Sequence, residues 1–259
     1  IKLSVTATGA GAHWQQIVDH LASAFGQADH AVRGSHAVIR VAGAFEAVRD
    51  WLATHHPQVR IVSAGTAIEI YKEMGLPETV AESFSFRDLS GTHALGHTRM
   101  ATESAVTTAH SHPFSTGLDL CLVHNGSLSN HNRLRQELRR LGIVFQTDND
   151  SEVAAGYLTD RLRDGASLSH ALGDAVGALD GFYTFAVGTH DGFAVLRDPI
   201  ACKHAVLAET DEWVAMATEF RAIAVLPGAD QARVWEPEPG RVYLWHRADM
   251  HQTVPAEGR

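Results

Sequence analysis

The chain has 259 residues, 45% of them hydrophobic and 20% charged, which is ordinary for a globular protein and long enough to bury a large core. Its formal net charge of −9, with no basic cluster, argues against a nucleic-acid partner. No apolar run approaches the ~20 residues of a membrane span, the opening Ile1-Lys2-Leu3-Ser4-Val5 is not a signal peptide, and two cysteines make no disulfide framework, so a cytoplasmic protein is expected.

Residues 1–6 read as a strand. Trp14, Ile17, Val18, Leu21 and Phe25 recur at helical spacing. Ala37–Val41 reads as a strand, Phe45, Val48, Trp51 and Leu52 as a second helix, and Val59–Ser63 as another strand. This alternating α/β segment is either an inserted lobe for subunit contact or an elaboration of the core. Within it, Gly9-Ala10-Gly11 follows a strand as a dinucleotide loop would, but Trp14 stands where the third glycine belongs, so a tight turn is the better reading.

The stretch Leu95-Gly96-His97-Thr98-Arg99 leaves a strand-like run for a polar segment. Arg99 is either a solvated surface charge or a guanidinium placed to hold a carboxylate by two parallel hydrogen bonds. Asp119–Val123 is a short apolar run ending in His124-Asn125-Gly126, a strand entering a turn. The plain reading of Asn125-Gly126 is a hairpin turn. The functional reading is an oxyanion hole, in which the Asn125 side-chain N–H and the Gly126 backbone N–H converge on one oxygen. Asp150 opens a helical pattern with Val153, Leu158 and Leu162, so it suits an N-cap, and it could also pair with a substrate ammonium. Three histidines, His110, His112 and His124, invite a metal reading, but a catalytic site would need three converging ligands and an open position. Cys121 and His124 stand at odd spacing in a strand and point to opposite faces, so they do not form a nucleophile–base pair; Cys121 reads as a small buried apolar residue. Near the end, Trp235–Gly240 reads as a turn before a last strand, Val242–His246.

Taken in order, Gly96-His97-Thr98-Arg99-Met100-Ala101-Thr102, Ser111-His112-Pro113, Val123-His124-Asn125-Gly126 and Asn149-Asp150-Ser151-Glu152-Val153 resemble the glutamine-binding half of a class II glutamine amidotransferase domain. Leu179–Ala186, Arg197-Asp198-Pro199 and Ala217-Thr218-Glu219 match later strands of the same family, so the resemblance covers about residues 91–224. It implies an α+β fold, a four-layer αββα sandwich of the N-terminal-nucleophile hydrolase type, with the α/β segment of the first third added to it. On this reading residues 1–90 are the N-terminal part of the domain with a probable insertion, and residues 91–259 are the core with the glutamine pocket. The resemblance also implies that Arg99, Thr102, His112 and Asp150 bind substrate and that Asn125 and Gly126 are the oxyanion donors. Met100 and Glu103 depart from the aromatic and histidine common in the family, which bears on the amide accepted.

The family attacks the amide with an N-terminal cysteine whose own α-amino group serves as base; this chain begins with Ile1. The nucleophile is therefore expected upstream of Ile1. The alternative is a subunit that keeps the pocket without chemistry, and sequencing the intact N-terminus separates the two. Finer wording in Thr98–Thr107, His124–His131 and Arg197–Lys203 resembles the stand-alone amidotransferase subunit of N-methylglutamate synthase. That resemblance implies a hetero-oligomer with a glycine-rich β-helix subunit and a synthase subunit carrying FMN and an iron–sulfur cluster. This chain itself would hold no cofactor and no metal.

Overall fold

The computed structural model describes residues 1–7, 13–98 and 107–247. Gly9-Ala10-Gly11, and Arg99, Met100, Thr102 and Glu103, lie outside the described residues. The chain forms two compact units, 1–91 with 96–121, and 92–95 with 122–259. No helix among the described residues is long and apolar enough to cross a membrane.

In the first unit β1 (Lys2–Ala7), α1 (Trp14–Phe25), β2 (Ala28–Arg33), β3 (His36–Val41), α2 (Phe45–His55) and β4 (Val59–Gly65) follow one another. The sheet order is β2-β3-β1-β4 with every pairing antiparallel. This is the split βαββαβ arrangement of ferredoxin-like domains. The two helices formed by the expected apolar stripes bury Ile17, Val18, Leu21, Val48 and Leu52 against Leu3, Val5, Ala37, Ile39 and Val41 of the sheet. The sequence reading lacks β2. Its residues Ala-Asp-His-Ala-Val-Arg form an edge strand with little burial, so they carry neither an apolar run nor alternation. The opposite face is covered by the segment after β4, where Ile70 and Phe84 are buried and the Ile70 amide donates to Ser4 Oγ at 3.2 Å. That segment includes α3 (Pro77–Ser83), which begins with proline at its first position.

The second unit takes in β5 (Leu120–Leu128) from Leu122 on, then α4 (His131–Arg140), α5 (Asp150–Arg163) and α6 (Leu168–Ala178). It continues through β6 (Gly181–Thr189), β7 (Gly192–Arg197), β8 (Val206–Glu209), β9 (Val214–Ala217), the one-turn α7 (Phe220–Ile223), β10 (Arg233–Trp235) and β11 (Val242–His246). The strands form two sheets, β11-β7-β6-β5 and β10-β8-β9. Alternation along the strands gives each face of the first sheet a different neighbour. Val123, Ala186 and Val195 meet Leu207, Met216 and Trp235 of the second sheet. On the other face Tyr183 reaches α6, its hydroxyl donating to the Ala175 carbonyl at 3.4 Å. The result is helices, sheet and sheet in layers.

Candidate active site

Asn125 and Gly126 do not form a turn. Strand β5 runs through them to Leu128. The reason lies in the adjacent strand. A methyl group at position 126 would stand 2.0 Å from the carbonyl oxygen of Phe182 and 2.7 Å from Tyr183 Cα, and Gly126 has φ +150°. Only glycine gives β6 this approach at this conformation. Gly181 answers it from the other side, where an added Cβ would meet the Ser127 carbonyl at 2.2 Å. The Asn-Gly pair thus marks a close contact of two backbones within the sheet.

Alternation turns Val123 into the core between the sheets and His124 toward the helices, where His124 Nδ1 lies 2.8 Å from Ser151 Oγ on α5. Asn125 follows on the Val123 side of the strand. Asp150 is the first residue of α5, not its cap. The cap is Asn149, whose side chain accepts the Ser151 amide at 2.9 Å. The Asp150 carboxylate accepts the Leu128 amide at 2.9 Å, two residues beyond Gly126. This joins the helix start to the strand that carries the candidate oxyanion donors.

The loop before α5 is clamped from two sides. Arg135 donates to the carbonyls of Thr147 at 2.7 Å and Asn149 at 2.8 Å. Glu152 accepts the amides of Gln146 at 2.7 Å and Thr147 at 2.8 Å, and the Thr147 hydroxyl at 2.7 Å. Arg135 and Glu152 are both buried and their charged atoms lie 3.9 Å apart, so these charges are met by each other and by the loop's polar groups instead of water. Sequence reasoning missed Arg135, Ser151 and Glu152. A polar N-terminal turn with Glu152 three residues after the cap at Asn149 was the available signal for Glu152; Arg135 gave none, since it looks like any charge in the run Arg133–Arg140.

Arg197 and Asp198 hold the turn after β7. Asp198, fully buried, accepts the amides of Tyr183 at 3.1 Å and Ile200 at 2.8 Å, while Arg197 Nε donates to the Lys203 carbonyl at 2.9 Å. Tyr183 is pushed up to about 12 by burial and by the neighbouring Asp198 charge, so it stays neutral behind Gly126.

His112 belongs to the first unit. Its ring lies 4.2 Å from that of His97 and 5.1 Å from Phe114. Of the residues expected to bind substrate, the structure therefore joins Asp150 to the strand of Asn125 and Gly126, and seats His112 beside His97 at the head of the Arg99 segment. Cys121 is buried and Cys202 exposed.

A model of the glutamine amidotransferase domain matches residues 97–225. The glutamine amidotransferase-like protein GlxB of Rhizobium meliloti (strain 1021) is 59% identical over 216 residues, which cover 83% of this chain and 72% of that protein. The chain belongs to the class II glutamine amidotransferase family. A putative glutamine amidotransferase of Methanothermobacter thermautotrophicus is 34% identical over 189 residues, covering 72% of this chain and 61% of that one. The glutamine phosphoribosylpyrophosphate amidotransferase from B. subtilis superposes with a TM-score of 0.54 at 27% identity, over 65% of this chain and 37% of that chain. The layered second unit is thus the α+β sandwich of an N-terminal-nucleophile amidotransferase. The amidotransferase match begins at residue 97, so the ferredoxin-like module precedes it.

Proposed function

We propose that this chain is the amidotransferase subunit of a glutamate-synthase-like enzyme of the N-methylglutamate synthase type. It hydrolyses a γ-glutamyl amide and passes ammonia or an amine to a flavin-dependent synthase chain. The observation that carries the reading is the Asn125-Gly126 pair. Gly126 sits where only glycine fits, in a strand tied to the first residue of α5 through Leu128 and Asp150.

In the proposed reaction a cysteine thiolate upstream of Ile1 attacks the carboxamide carbon and its α-amino group takes the thiol proton. Asn125 and Gly126 donate to the oxyanion. The C–N bond breaks, the leaving nitrogen takes a proton, and a thioester remains. Water hydrolyses it to glutamate and the free thiol. The substrate carboxylate is assigned to Arg99 and its ammonium to Asp150, with Thr102 and His112 as further substrate-binding residues. FMN and the iron–sulfur cluster belong to the partner synthase chain, and a glycine-rich β-helix subunit completes the assembly in the cytoplasm.

Two measurements test this. Mass spectrometry of the intact N-terminus should find cysteine as the first residue; any other residue there refutes the catalytic mechanism. Native mass spectrometry of co-expressed subunits should find this chain in complex with a flavoprotein. Recovery as a monomer alone, or flavin bound to this chain by itself, refutes the assignment of partners.

A further inference from the structure

The sheet of the first unit has two edges, and they are finished differently. At one edge β4 is covered. Ala64 bridges in parallel to Leu118, its carbonyl accepts the Asp119 amide at 2.8 Å, and the β1–β4 register shifts between Ser4 and Val5. At the other edge β2 pairs, among the described residues, with β3 alone. Its 6 residues run in unbroken register with β3, and no proline, lysine or bulge blocks the outer side. Val32 in this strand is 54% exposed.

The ladder fixes which main-chain groups of β2 point outward. The Val41 amide donates to the Ile1 carbonyl at 2.9 Å and the Ile1 amino group donates to the Val41 carbonyl at 2.7 Å, so Val41 faces β1. Ala42 faces the other way, its amide donating to the Gln27 carbonyl at 3.0 Å. Alternation from there turns the main chains of Asp29, Ala31 and Arg33 toward β3 and those of Ala28, His30 and Val32 outward. Side chains alternate as well. Ala28, His30 and Val32 stand opposite Val41, Ile39 and Ala37, on the face that packs against α1 and α2. Asp29, Ala31 and Arg33 stand on the other face, where the Asp29 carboxylate meets Arg40 at 3.2 Å, both side chains exposed.

We propose that a second copy of this chain docks on β2, antiparallel, joining the two four-stranded sheets across a twofold axis at Ala31. An antiparallel neighbour bonds only where outward main chains meet, so the axis must pass at a residue and not between two. Placed at Ala31, it lets His30 and Val32 exchange both of their bonds with Val32 and His30 of the second copy. The same register sets Asp29 opposite Arg33 of the second copy, and Arg33 opposite its Asp29. These are non-hydrogen-bonded pairs, whose side chains stand closest, and opposite charges there attract. Ala31 meets its own copy with nothing larger than a methyl group. An axis at His30 would face Asp29 with Ala31, and one at Val32 would face Arg33 with Ala31. An axis at Asp29 or Arg33 would set like charges together. Only the register centred on Ala31 satisfies the outward main chain and both charges. This assembly does not depend on the amidotransferase reading, since β2 lies in the module that precedes the matched residues 97–225.

Sedimentation equilibrium of the full chain at low salt tests it. The wild type should show a reversible monomer–dimer equilibrium. Asp29→Arg leaves the strand with cations at both positions, and Arg33→Asp leaves it with anions at both. Each variant alone then sets like charges opposite each other, and its dimer Kd should rise at least about tenfold, equivalent to about 1.4 kcal/mol. An equimolar mixture of the two variants should form a mixed dimer with a Kd at least about tenfold below that of either variant alone, because every facing pair is again opposite in sign. A folding defect in either variant cannot produce that recovery. Val32→Pro removes an outward N–H that β3 does not use, so it should abolish the dimer while circular dichroism keeps the wild-type spectrum. A wild type that is monomeric at every attainable concentration overturns the inference. So does a dimer that both charge variants retain at the wild-type Kd, or a mixture that associates no better than its components.

Discussion

Replacing Gly126 with alanine is the most direct test of the site's geometry. The new methyl group would lie 2.0 Å from the Phe182 carbonyl oxygen and 2.7 Å from Tyr183 Cα, at a φ of +150°. A close carbon–oxygen contact in sheets is about 3.3–3.6 Å, so β5 and β6 would have to separate by more than an ångström or lose their pairing locally. Overpacking costs about 1–3 kcal/mol and the backbone strain about another 1–3 kcal/mol. Together Gly126→Ala should destabilise the second unit by about 2–6 kcal/mol, a large share of the ~5–15 kcal/mol that holds a domain. Gly75 provides the comparison. It has φ +148°, but an added Cβ there meets nothing closer than Val80 Cγ2 at 3.6 Å. Gly75→Ala therefore carries the strain without the collision. Urea denaturation followed by circular dichroism should separate the two variants by at least about 1 kcal/mol, the low end of the overpacking cost. Equal losses in both variants would mean that the strands are not in close approach at Gly126, and the backbone argument for the oxyanion site would fall.

Further outcomes follow from the same residues. Arg99→Ala should weaken glutamine binding by about 1.5–3 kcal/mol, the range for a charge-assisted hydrogen bond, and calorimetry with glutamine or a γ-glutamyl analogue checks it; unchanged affinity removes Arg99 from the pocket. Asn125→Ala should lower kcat by about 10²–10³-fold with little change in affinity, read by steady-state glutaminase assay of the intact protein. Asp119, at φ +46°, accepts the amides of Thr66, Ala67 and Ile68 and the Thr66 hydroxyl. Asp119→Ala should cost the first unit about 1–2 kcal/mol by thermal denaturation, a value reduced from the full charged-bond range by partial exposure. His36 is fully buried and its pKa is lowered to about 4, chiefly by burial, against an ordinary 6.5. The unfolded chain therefore binds this proton first. The contribution is intact above pH 6.5 and is lost as pH falls toward about 4, up to about 3 kcal/mol at 1.36 kcal/mol per unit. His36→Gln should flatten the acid side of the first unit's stability curve, and an unchanged slope would place the acid sensitivity elsewhere.

What the sequence determined by itself was whatever depends on local pattern. The stripes at Trp14–Phe25 and Phe45–Leu52 placed α1 and α2, because a helix must bury one face wherever it packs. The short apolar runs placed β1, β3, β4 and β11. The spaced motifs from Gly96 to Val153 pointed to the glutamine amidotransferase family, because chemistry at a site constrains residue types independently of their neighbours. Tertiary structure decided the rest. An edge strand such as Ala28–Arg33 is held by its ladder to β3 and so leaves no apolar signature. Asn125-Gly126 has the local chemistry of a turn, yet the backbone of β6 makes it a strand, since the approach of Phe182 is a contact across more than fifty positions of chain. Asp150 suits a cap by type, but Asn149 takes that role and frees Asp150 to hold the Leu128 amide. Glu73 shows the same division: in the sequence it is one acidic residue in a polar stretch, and only the fold brings Ser35 and Thr108 to its two oxygens. Hydrogen-bond partners distant in sequence are chosen by the packing of elements, and no local pattern records them.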